Sequence, residues 1–272
     1  MVTSLFNIKG KFCILTGGTG VLGRAMAAGL AEAGATVGVL GRNANAGAYI
    51  VQQIKASGGE AVFLEADVLN RESLLQAREK FLGLYQRIDV LINAAGGNLP
   101  GAVIPPERNF LDLDISQFRD VVELNLTGTV LPTQVFCEDM VTRRSGIIVN
   151  IASMASYRPI TRVVGYSAAK AAVMNFTEWL ATEMAKKFGE GVRVNAIAPG
   201  FFLTEQNRTL LTNPDGSYTA RGESAIRQTP FNRFGVPDEL IGTLIYLCSD
   251  ASRFVTGVTI PVDGGFNVYC GV

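Results

Sequence analysis

Seven short, almost wholly apolar runs alternate with longer stretches of helical periodicity, and this alternation most restricts how the chain can fold. The runs lie at residues 11–16, 36–40, 61–66, 89–94, 146–152, 192–198 and 257–262. Strands that are apolar at consecutive positions, rather than alternate ones, suit burial on both faces of a parallel sheet. Helical patterns fill the gaps at 22–33, 44–57, 71–86, 115–143, 163–188 and 238–249. Strand–helix–strand repetition imposes right-handed crossovers, so the expected class is α/β, a doubly wound seven-stranded parallel sheet with helices on both faces. Neither an internal repeat nor a linker divides residues 1–272, and one domain is expected. The longest interruption, residues 200–236, contains the turn Pro214-Asp215-Gly216. It follows the sixth strand at its carboxyl end, where open α/β sheets bind ligands, and reads as a cover for a substrate.

Charge and residue usage remove several function classes. Lys plus Arg and Asp plus Glu cancel at 24 each in 272 residues, which gives no electrostatic case for nucleic acid or an anionic membrane surface. No apolar run approaches the ~20 residues of a membrane helix. The start lacks the basic-then-apolar pattern of a secretory signal, so the expected location is the cytoplasm. Histidine is absent, which excludes a Ser-His-Asp triad, a Cys-His dyad and a His-based zinc site. Cys13, Cys137, Cys248 and Cys270 form no C-x-x-C pair. They read as buried small apolar residues, not as a disulfide framework, and no metal site is expected. Proton chemistry therefore falls to Tyr, Lys, Asp, Glu or a thiol.

The first strand-to-helix turn reads Gly18-Thr19-Gly20-Val21-Leu22-Gly23. Glycines there permit a tight turn and close backbone approach, and the following helix N-terminus offers free N–H groups to a pyrophosphate. This places a Rossmann-type dinucleotide site on the fold. About 20 residues onward, NAD-specific sites carry an acid for the ribose 2′-hydroxyl. Here the second strand ends Leu40-Gly41-Arg42-Asn43, with no acid until Glu60. A guanidinium pairs well with phosphate oxygens, so NADP is favoured and NAD is the alternative.

Tyr166 and Lys170 stand four apart on one helical face, thirteen residues or more after Ser153. With seven tyrosines and seven lysines in 272 residues, chance alone supplies about 0.2 such pairs, so the pair gains weight only from its company. A free phenol has a pKa of about 10, and lowering it to neutrality takes about 4 kcal/mol of differential electrostatics. A nearby ammonium supplies part of that, and a cationic nicotinamide ring more. Such a tyrosine can exchange a proton with a carbinol or carbonyl oxygen while hydride moves to or from a dinucleotide.

The glycine turn, Asn93-Ala94-Ala95-Gly96, Asn125, Ser153, Tyr166, Lys170 and Pro199-Gly200, in that order, resemble the short-chain dehydrogenase/reductases from about Lys11 to the C-terminus. The resemblance implies that Tyr166 donates or accepts the proton. Lys170 would lower its pKa and hold the nicotinamide ribose, Ser153 would bond the reacting oxygen, and Asn125 would anchor a water in a proton relay. The implied cofactor site comprises Gly17, Gly18, Thr19, Gly20, Val21, Leu22, Gly23, Arg42, Asn43, Asp67, Val68, Asn93, Ala94, Ala95, Gly96, Tyr166, Lys170, Pro199, Gly200, Phe202 and Thr204. Within it, Asp67 would contact the adenine, Asn93 would buttress the central sheet, and Thr204 would reach the carboxamide. The family's turn is usually T-G-x-x-x-G-x-G, and Val21 stands at the middle glycine here.

Thr16–Gly23, Ala95-Gly96-Gly97-Asn98-Leu99-Pro100, Leu131-Pro132-Thr133-Gln134, Ala198-Pro199-Gly200-Phe201-Phe202 and residues 260–265 resemble the D-mannonate-acting branch of that family. A sugar acid needs a cation for its carboxylate and polar groups for its hydroxyls. Arg158 and Arg162 lie between Ser153 and Tyr166, and Arg208 lies in the expected cover beside Gln206 and Asn207. Arg162 or Arg208 is the expected carboxylate ligand and Asn98 a hydroxyl ligand, whereas Arg233 is expected in a structural ion pair. The resemblance also implies a homotetramer or homodimer packed through residues 115–143 and 163–188, with the tail 266–272 crossing a boundary. The competing expectations are a gluconate or ketogluconate dehydrogenase, a reductase of acyl-carrier ketones, and a non-catalytic dinucleotide sensor. No basic cluster for an anionic carrier is visible, and a sensor would be expected to have lost Tyr166 or Lys170.

Overall fold

The computed structural model describes residues 2–204 and 207–271; Glu205 and Gln206, inside the expected cover, and Val272 of the tail lie outside the described residues. In chain order the elements begin with a short α1 (Val2–Leu5), β1 (Phe12–Thr16), α2 (Val21–Glu32), β2 (Thr36–Gly41) and α3 (Ala44–Ala56). Then come β3 (Glu60–Glu65), α4 (Arg71–Tyr85), β4 (Val90–Asn93), α5 (Ile115–Val122), α6 (Gly128–Arg143) and β5 (Gly146–Ile151). The remainder is α7 (Val164–Phe188), β6 (Val192–Pro199), α8 (Arg208–Leu211), α9 (Ala220–Arg227), α10 (Ile241–Cys248) and β7 (Thr259–Val262).

All seven strands pair in parallel in the order β3-β2-β1-β4-β5-β6-β7. The chain winds outward one way from β1 and the other way from β4, so their carboxyl ends part and leave a crevice. Successive residues of a strand face opposite sides. In β1, Cys13 and Leu15 join a core layer with Met26 and Leu30 of α2, Ile50 and Ile54 of α3, and Leu244 and Leu247 of α10. Ile14 faces the other layer, with Phe81 of α4, Phe136 of α6 and Leu180 of α7. Truncating a buried aromatic such as Phe81 to alanine in such a layer costs about 3–5 kcal/mol.

Three elements depart from the sequence reading. The expected helix at 115–143 is interrupted by a π-turn at Glu123–Thr127 before it resumes as α6. Proline 132 lies inside α6 and cannot donate to the preceding turn, and the Thr129 and Thr133 hydroxyls bond back to the carbonyls of Asn125 and Thr129. β7 is only partly buried, because it is the edge of the sheet and has a partner on one side alone. Of the four cysteines, Cys13 and Cys248 are buried, Cys137 is partly so and Cys270 is exposed. Burial pushes the Cys248 thiol up to about 12, which keeps it a small apolar filler.

The described residues of 200–236 fold into a small substructure. Leu211, Ala225, Ile226 and Phe234 make their own apolar cluster, against which Phe201 and Leu203 pack. The segment is pinned at its root by a parallel bridge of Phe202 with Gly235. Arg233 makes the expected ion pair: its guanidinium donates to both carboxylate oxygens of Glu239 at 2.8 and 2.6 Å. That contact, joined by the Val236 N–H, holds the Glu239 carboxyl at about 2. No helix among the described residues is long and apolar enough to cross a membrane.

Candidate active site

The crevice between β1 and β4 opens into a cleft of about 490 Å3. Its first wall is the glycine turn. The Thr16 hydroxyl accepts the Ala94 and Ala95 N–H groups at 3.1 and 3.2 Å, which draws the exits of β1 and β4 together. Gly17 sits at φ +65°, and a Cβ there would lie 2.7 Å from the Ala94 carbonyl oxygen and the Ala95 nitrogen. A Cβ on Gly23 would stand 2.1 Å from the Gly17 carbonyl oxygen. Contacts that short admit no side chain, so both positions require glycine.

Val21 does not disturb the turn, since it is the first residue of α2 and adopts ordinary helical backbone. Gly20 caps the helix without a side chain, and its carbonyl accepts the Arg24 N–H at 2.8 Å. The amides of Val21, Leu22 and Gly23 therefore lack intrahelical acceptors, and all three residues line the cleft at the positive end of the helix dipole. This uncapped first turn, with glycines allowing close approach, is the chemistry a pyrophosphate needs, and the residues fit a dinucleotide.

Beyond the turn, Arg42 just after β2 and Asp67 after β3 face one another at 3.8 Å. Arg42 is largely exposed and Asp67 partly so. Asp67 is fixed by its own loop: its carboxylate accepts the Leu69 N–H at 2.9 Å, and its amide donates to the Ser73 hydroxyl. Val68, Ala94, Ala95 and Gly96 also line this part.

At the other end stand Ser153, after β5, and Tyr166 and Lys170 on α7. Ser153 accepts the Ala155 N–H at 3.1 Å, and its hydroxyl stands near enough to the Tyr166 phenol to favour the phenolate. Lys170 is buried, donates to the Ile151 carbonyl at 2.8 Å, and its Nζ lies 5.7 Å from the Tyr166 ring centroid. Burial raises the Tyr166 pKa, with the Ser153 bond acting weakly against it, and burial pulls Lys170 down to about 8. This differs from the expected lysine-lowered phenol. Desolvation disfavours both charged forms, and it outweighs what the Ser153 bond contributes toward phenolate. Tyr166 is thus a protonated acid in the protein as it stands, and a further positive charge in the cleft is what would move it toward a base.

Asn125 lies in the π-turn and does not line the cleft. Its side chain accepts from the Gly97 N–H at 3.2 Å and donates to the Gly97 and Val121 carbonyls at 2.7 and 2.8 Å. It clamps the Gly96-Gly97 loop, where a Cβ on Gly96 would meet Asn125 Oδ1 at 2.5 Å and Lys170 Nζ at 3.3 Å. The Asn125 main-chain carbonyl accepts the Thr129 hydroxyl. Asn93 is likewise behind the cleft, donating to Thr133 and Asn150, while Asn150 donates on to Thr177.

Pro199, Gly200, Phe202 and Thr204 line the cleft from β6. Seven expected residues do not: Gly18, Asn43, Asn93, Asn98, Asn125, Arg162 and Arg208. Asn43 caps α3 by accepting the Ala46 N–H, Asn98 is exposed and accepts the Leu99 N–H beside it, and Arg208 is exposed at the start of α8. Gly18 lies behind the turn, its N–H donating to the Leu40 carbonyl. Arg158 reaches Asn267 of the tail at 3.4 Å. Arg162 is partly buried four residues ahead of Tyr166, with no hydrogen bond or ion pair of its guanidinium among the described residues. Residues missed from sequence include Thr16, Leu124, Phe201 and Asn207. Asn207 holds the lining strand by bonding the Thr204 N–H and the Phe202 carbonyl, each at 2.8 Å. No motif flags such a local clamp.

Residues 11–215 match the family model described as short chain dehydrogenase. The uncharacterized oxidoreductase UxuB of Bacillus subtilis (strain 168) is 47% identical over 98% of each chain. A solved Haemophilus influenzae protein, provisionally assigned as a D-mannonate oxidoreductase and holding NAD, superposes with a TM-score of 0.93 at 40% identity over the full length of both chains. A gluconate 5-dehydrogenase from Burkholderia cenocepacia J2315, in complex with NADP and tartrate, does so at 0.85 and 30% identity, covering 99% of this chain and all of that one. A likeness this continuous runs through both the turn that faces a dinucleotide and the tyrosine–lysine helix beside it, and the chain belongs to the short-chain dehydrogenase/reductase family, an oxidoreductase that works with a nicotinamide cofactor.

Proposed function

We propose that this enzyme interconverts a secondary alcohol and a ketone on a sugar acid, with D-mannonate and D-fructuronate as the preferred pair and NADP(H) as the favoured dinucleotide. The observation that carries the reading is the meeting of two features in one cleft: the uncapped first turn of α2 at one end and Ser153, Tyr166 and Lys170 at the other. Gly17, Gly20, Val21, Leu22 and Gly23 would hold the pyrophosphate, Asp67 the adenine side, and Pro199, Gly200, Phe202 and Thr204 the nicotinamide side. When bound, the dinucleotide supplies or accepts the hydride.

The chain's own residues handle the proton. Ser153 accepts from Ala155, and its hydroxyl, beside the Tyr166 phenol, would turn its proton to the substrate oxygen once that oxygen is bound. In the direction of carbonyl reduction, that oxygen takes a second hydrogen bond and then the proton from Tyr166, whose raised pKa keeps it protonated. In the direction of oxidation the phenol must first lose its proton. The Lys170 ammonium, fixed by the Ile151 carbonyl, and any further cation in the cleft favour that loss. Asn125 acts as a positioning residue by fixing the loop against which the ammonium rests.

Arg42 supports the preference for NADP, because no carboxylate stands at the end of β2 to repel a 2′-phosphate. NAD is the second reading, supported by the Arg42–Asp67 contact, which already engages the guanidinium, and by the NAD held in the Haemophilus protein. For the substrate, gluconate oxidation is the second reading, supported by the tartrate-bound gluconate 5-dehydrogenase. The cytoplasm is the proposed location. A homotetramer or homodimer is proposed from apolar groups that α5 and α7 leave in solvent, Ile115 and Trp179 among them. The test is reduction of NADP⁺ and NAD⁺ followed at the nicotinamide absorbance, with D-mannonate against D-gluconate and other aldonates. Turnover of D-mannonate well above the rest is expected, and no turnover of any sugar acid despite dinucleotide binding would overturn the substrate assignment.

A further inference from the structure

The extended stretch that follows Gly200 along the cleft is held on its two edges by different kinds of group. On one edge the Phe201 carbonyl accepts the Gly235 N–H at 2.9 Å, and the Leu203 N–H donates to the Gly235 carbonyl at 3.1 Å. Hydrogen-bonding groups alternate in direction along an extended chain, so the Phe202 carbonyl and the Thr204 N–H turn to the other edge. Among the described residues no second strand pairs there. The Asn207 carboxamide takes both groups instead: its Nδ2 donates to the Phe202 carbonyl and its Oδ1 accepts the Thr204 N–H, each at 2.8 Å. A primary amide carries the donor and the acceptor of a peptide unit, and Asn207 fills the place of a neighbouring strand.

Asn207 is itself fixed from the far side. Its N–H donates to the Thr204 carbonyl at 3.2 Å, and its carbonyl accepts the Leu210 and Leu211 N–H groups of α8, each at 3.0 Å. Leu211 is buried in the apolar cluster with Ala225, Ile226 and Phe234, against which Phe201 and Leu203 pack. The carboxamide therefore has α8 behind it and the backbone of residues 202–204 in front. Phe202, Thr204 and Asn207 all line the cleft, and Phe202 is buried. The residue type matters. Leucine of similar size makes neither bond, and an aspartate carboxylate accepts from Thr204 but turns a lone pair toward the Phe202 carbonyl.

We infer that Asn207 is a positioning residue for the nicotinamide half of the dinucleotide, fixing the backbone of residues 202–204 in the conformation that receives it. The inference rests on the reading of Pro199, Gly200, Phe202 and Thr204 as the nicotinamide side, and deepens it by assigning what holds that wall. Without the carboxamide, the Phe202 carbonyl and the Thr204 N–H need other partners, and only the Gly235 edge is left to define the course of the chain. The effect is confined to one half of the cofactor. The glycine turn and Asp67 stand on other elements and are held by bonds of their own, from Gly20 to the Gly17 carbonyl and from Leu69 to the Asp67 carboxylate.

The experiment compares NADPH with 2′-phospho-ADP-ribose, which lacks the nicotinamide, by calorimetry on the parent, Asn207→Leu and the isosteric Asn207→Asp at pH 8. NADH and ADP-ribose form a parallel pair, and whichever pair the parent binds more tightly carries the comparison. The fluorescence of the bound reduced dinucleotide, read at saturating protein, reports the surroundings of the nicotinamide ring. The inference predicts that affinity for the whole dinucleotide falls about 10- to 100-fold in the Leu variant and about 10-fold in the Asp variant, with the fragment within about twofold of the parent. The bound emission should move toward that of the free dinucleotide. Equal losses for dinucleotide and fragment would be general damage to the cleft and would overturn the inference. If the parent binds the dinucleotide more tightly than the fragment, and both variants keep that affinity within about twofold and the parent's emission, the inference is overturned and the nicotinamide reading stands. A parent that binds the dinucleotide no more tightly than the fragment, or binds neither, would overturn that reading and the inference with it.

Discussion

Lys170 is held in the active site at the expense of stability, and Lys170→Met makes that trade measurable. Its side chain is only 4% exposed, and burial lowers its pKa from 10.5 to about 8. Each tenfold change in proton affinity is worth about 1.4 kcal/mol, so the charged form costs the fold about 3 kcal/mol at pH 7. Methionine matches the stem in length and has no charge to desolvate. It does abandon the bond to the Ile151 carbonyl, at a cost of about 1–2 kcal/mol. The variant should therefore be more stable than the parent by about 1–2 kcal/mol at pH 7, while losing most of its turnover. The pH dependence carries the sharper signature. Between pH 8 and about 10.4 the unfolded lysine keeps a proton that the folded one has lost, so stability rises with pH through that window. At pH 9 the parent should have recovered about 1 kcal/mol of the deficit, and the gap to the Met variant should shrink by that amount. Other titrating groups act on both proteins and cancel in the difference. Urea unfolding of parent and variant at pH 7 and pH 9 supplies the numbers. A Met variant less stable than the parent at pH 7, or a gap that does not change by pH 9, would refute the reasoning.

Two further substitutions test the dinucleotide end. Arg42→Asp should move the ratio of kcat/KM values for NADP and NAD toward NAD by about 10- to 100-fold, since a charge-assisted bond becomes a repulsion; an unchanged ratio would place the reading of the 2′-phosphate elsewhere. Gly23→Ala puts a methyl 2.1 Å from the Gly17 carbonyl oxygen, so the turn must open, and calorimetry should find dinucleotide affinity lowered at least 10-fold, with about 1–3 kcal/mol of stability lost. Full affinity in that variant would mean that the turn does not bear on the cofactor.

The fold was legible because a buried parallel sheet writes itself as consecutive apolar residues, as β1 does at residues 13–15 and β5 at 147–149. The edge strand β7 misled for the same reason: Thr259–Val262 are apolar enough to read as interior, yet have a neighbour on one side only. The π-turn was hidden because its trigger is geometric. Leu124-Asn125-Leu126 fits a helical period, and only the bond from Asn125 to the Gly97 carbonyl, 28 residues away, shows why the helix widens there. Legibility of the site followed the same division. Tyr166, Lys170 and Ser153 are readable because their spacing on one helix and one strand end is fixed by local geometry. Asn98 and Arg208 were placed by proximity to motifs, and the structure turns both to solvent. Asn207 depends on how the described residues of 200–236 pack, which no periodicity reports.

The account's central claim is that the Tyr166 hydroxyl carries the proton of the reaction. The most direct test is Tyr166→Phe, with dinucleotide affinity measured by calorimetry and turnover of a sugar acid measured in both directions. The variant removes one oxygen and leaves the ring, the Lys170 contact and the pyrophosphate turn in place. Dinucleotide affinity within about threefold of the parent, with kcat lower by at least about 1,000-fold in each direction, is the predicted result. Turnover within about tenfold of the parent would contradict the claim and send the search for the acid to another group in the cleft.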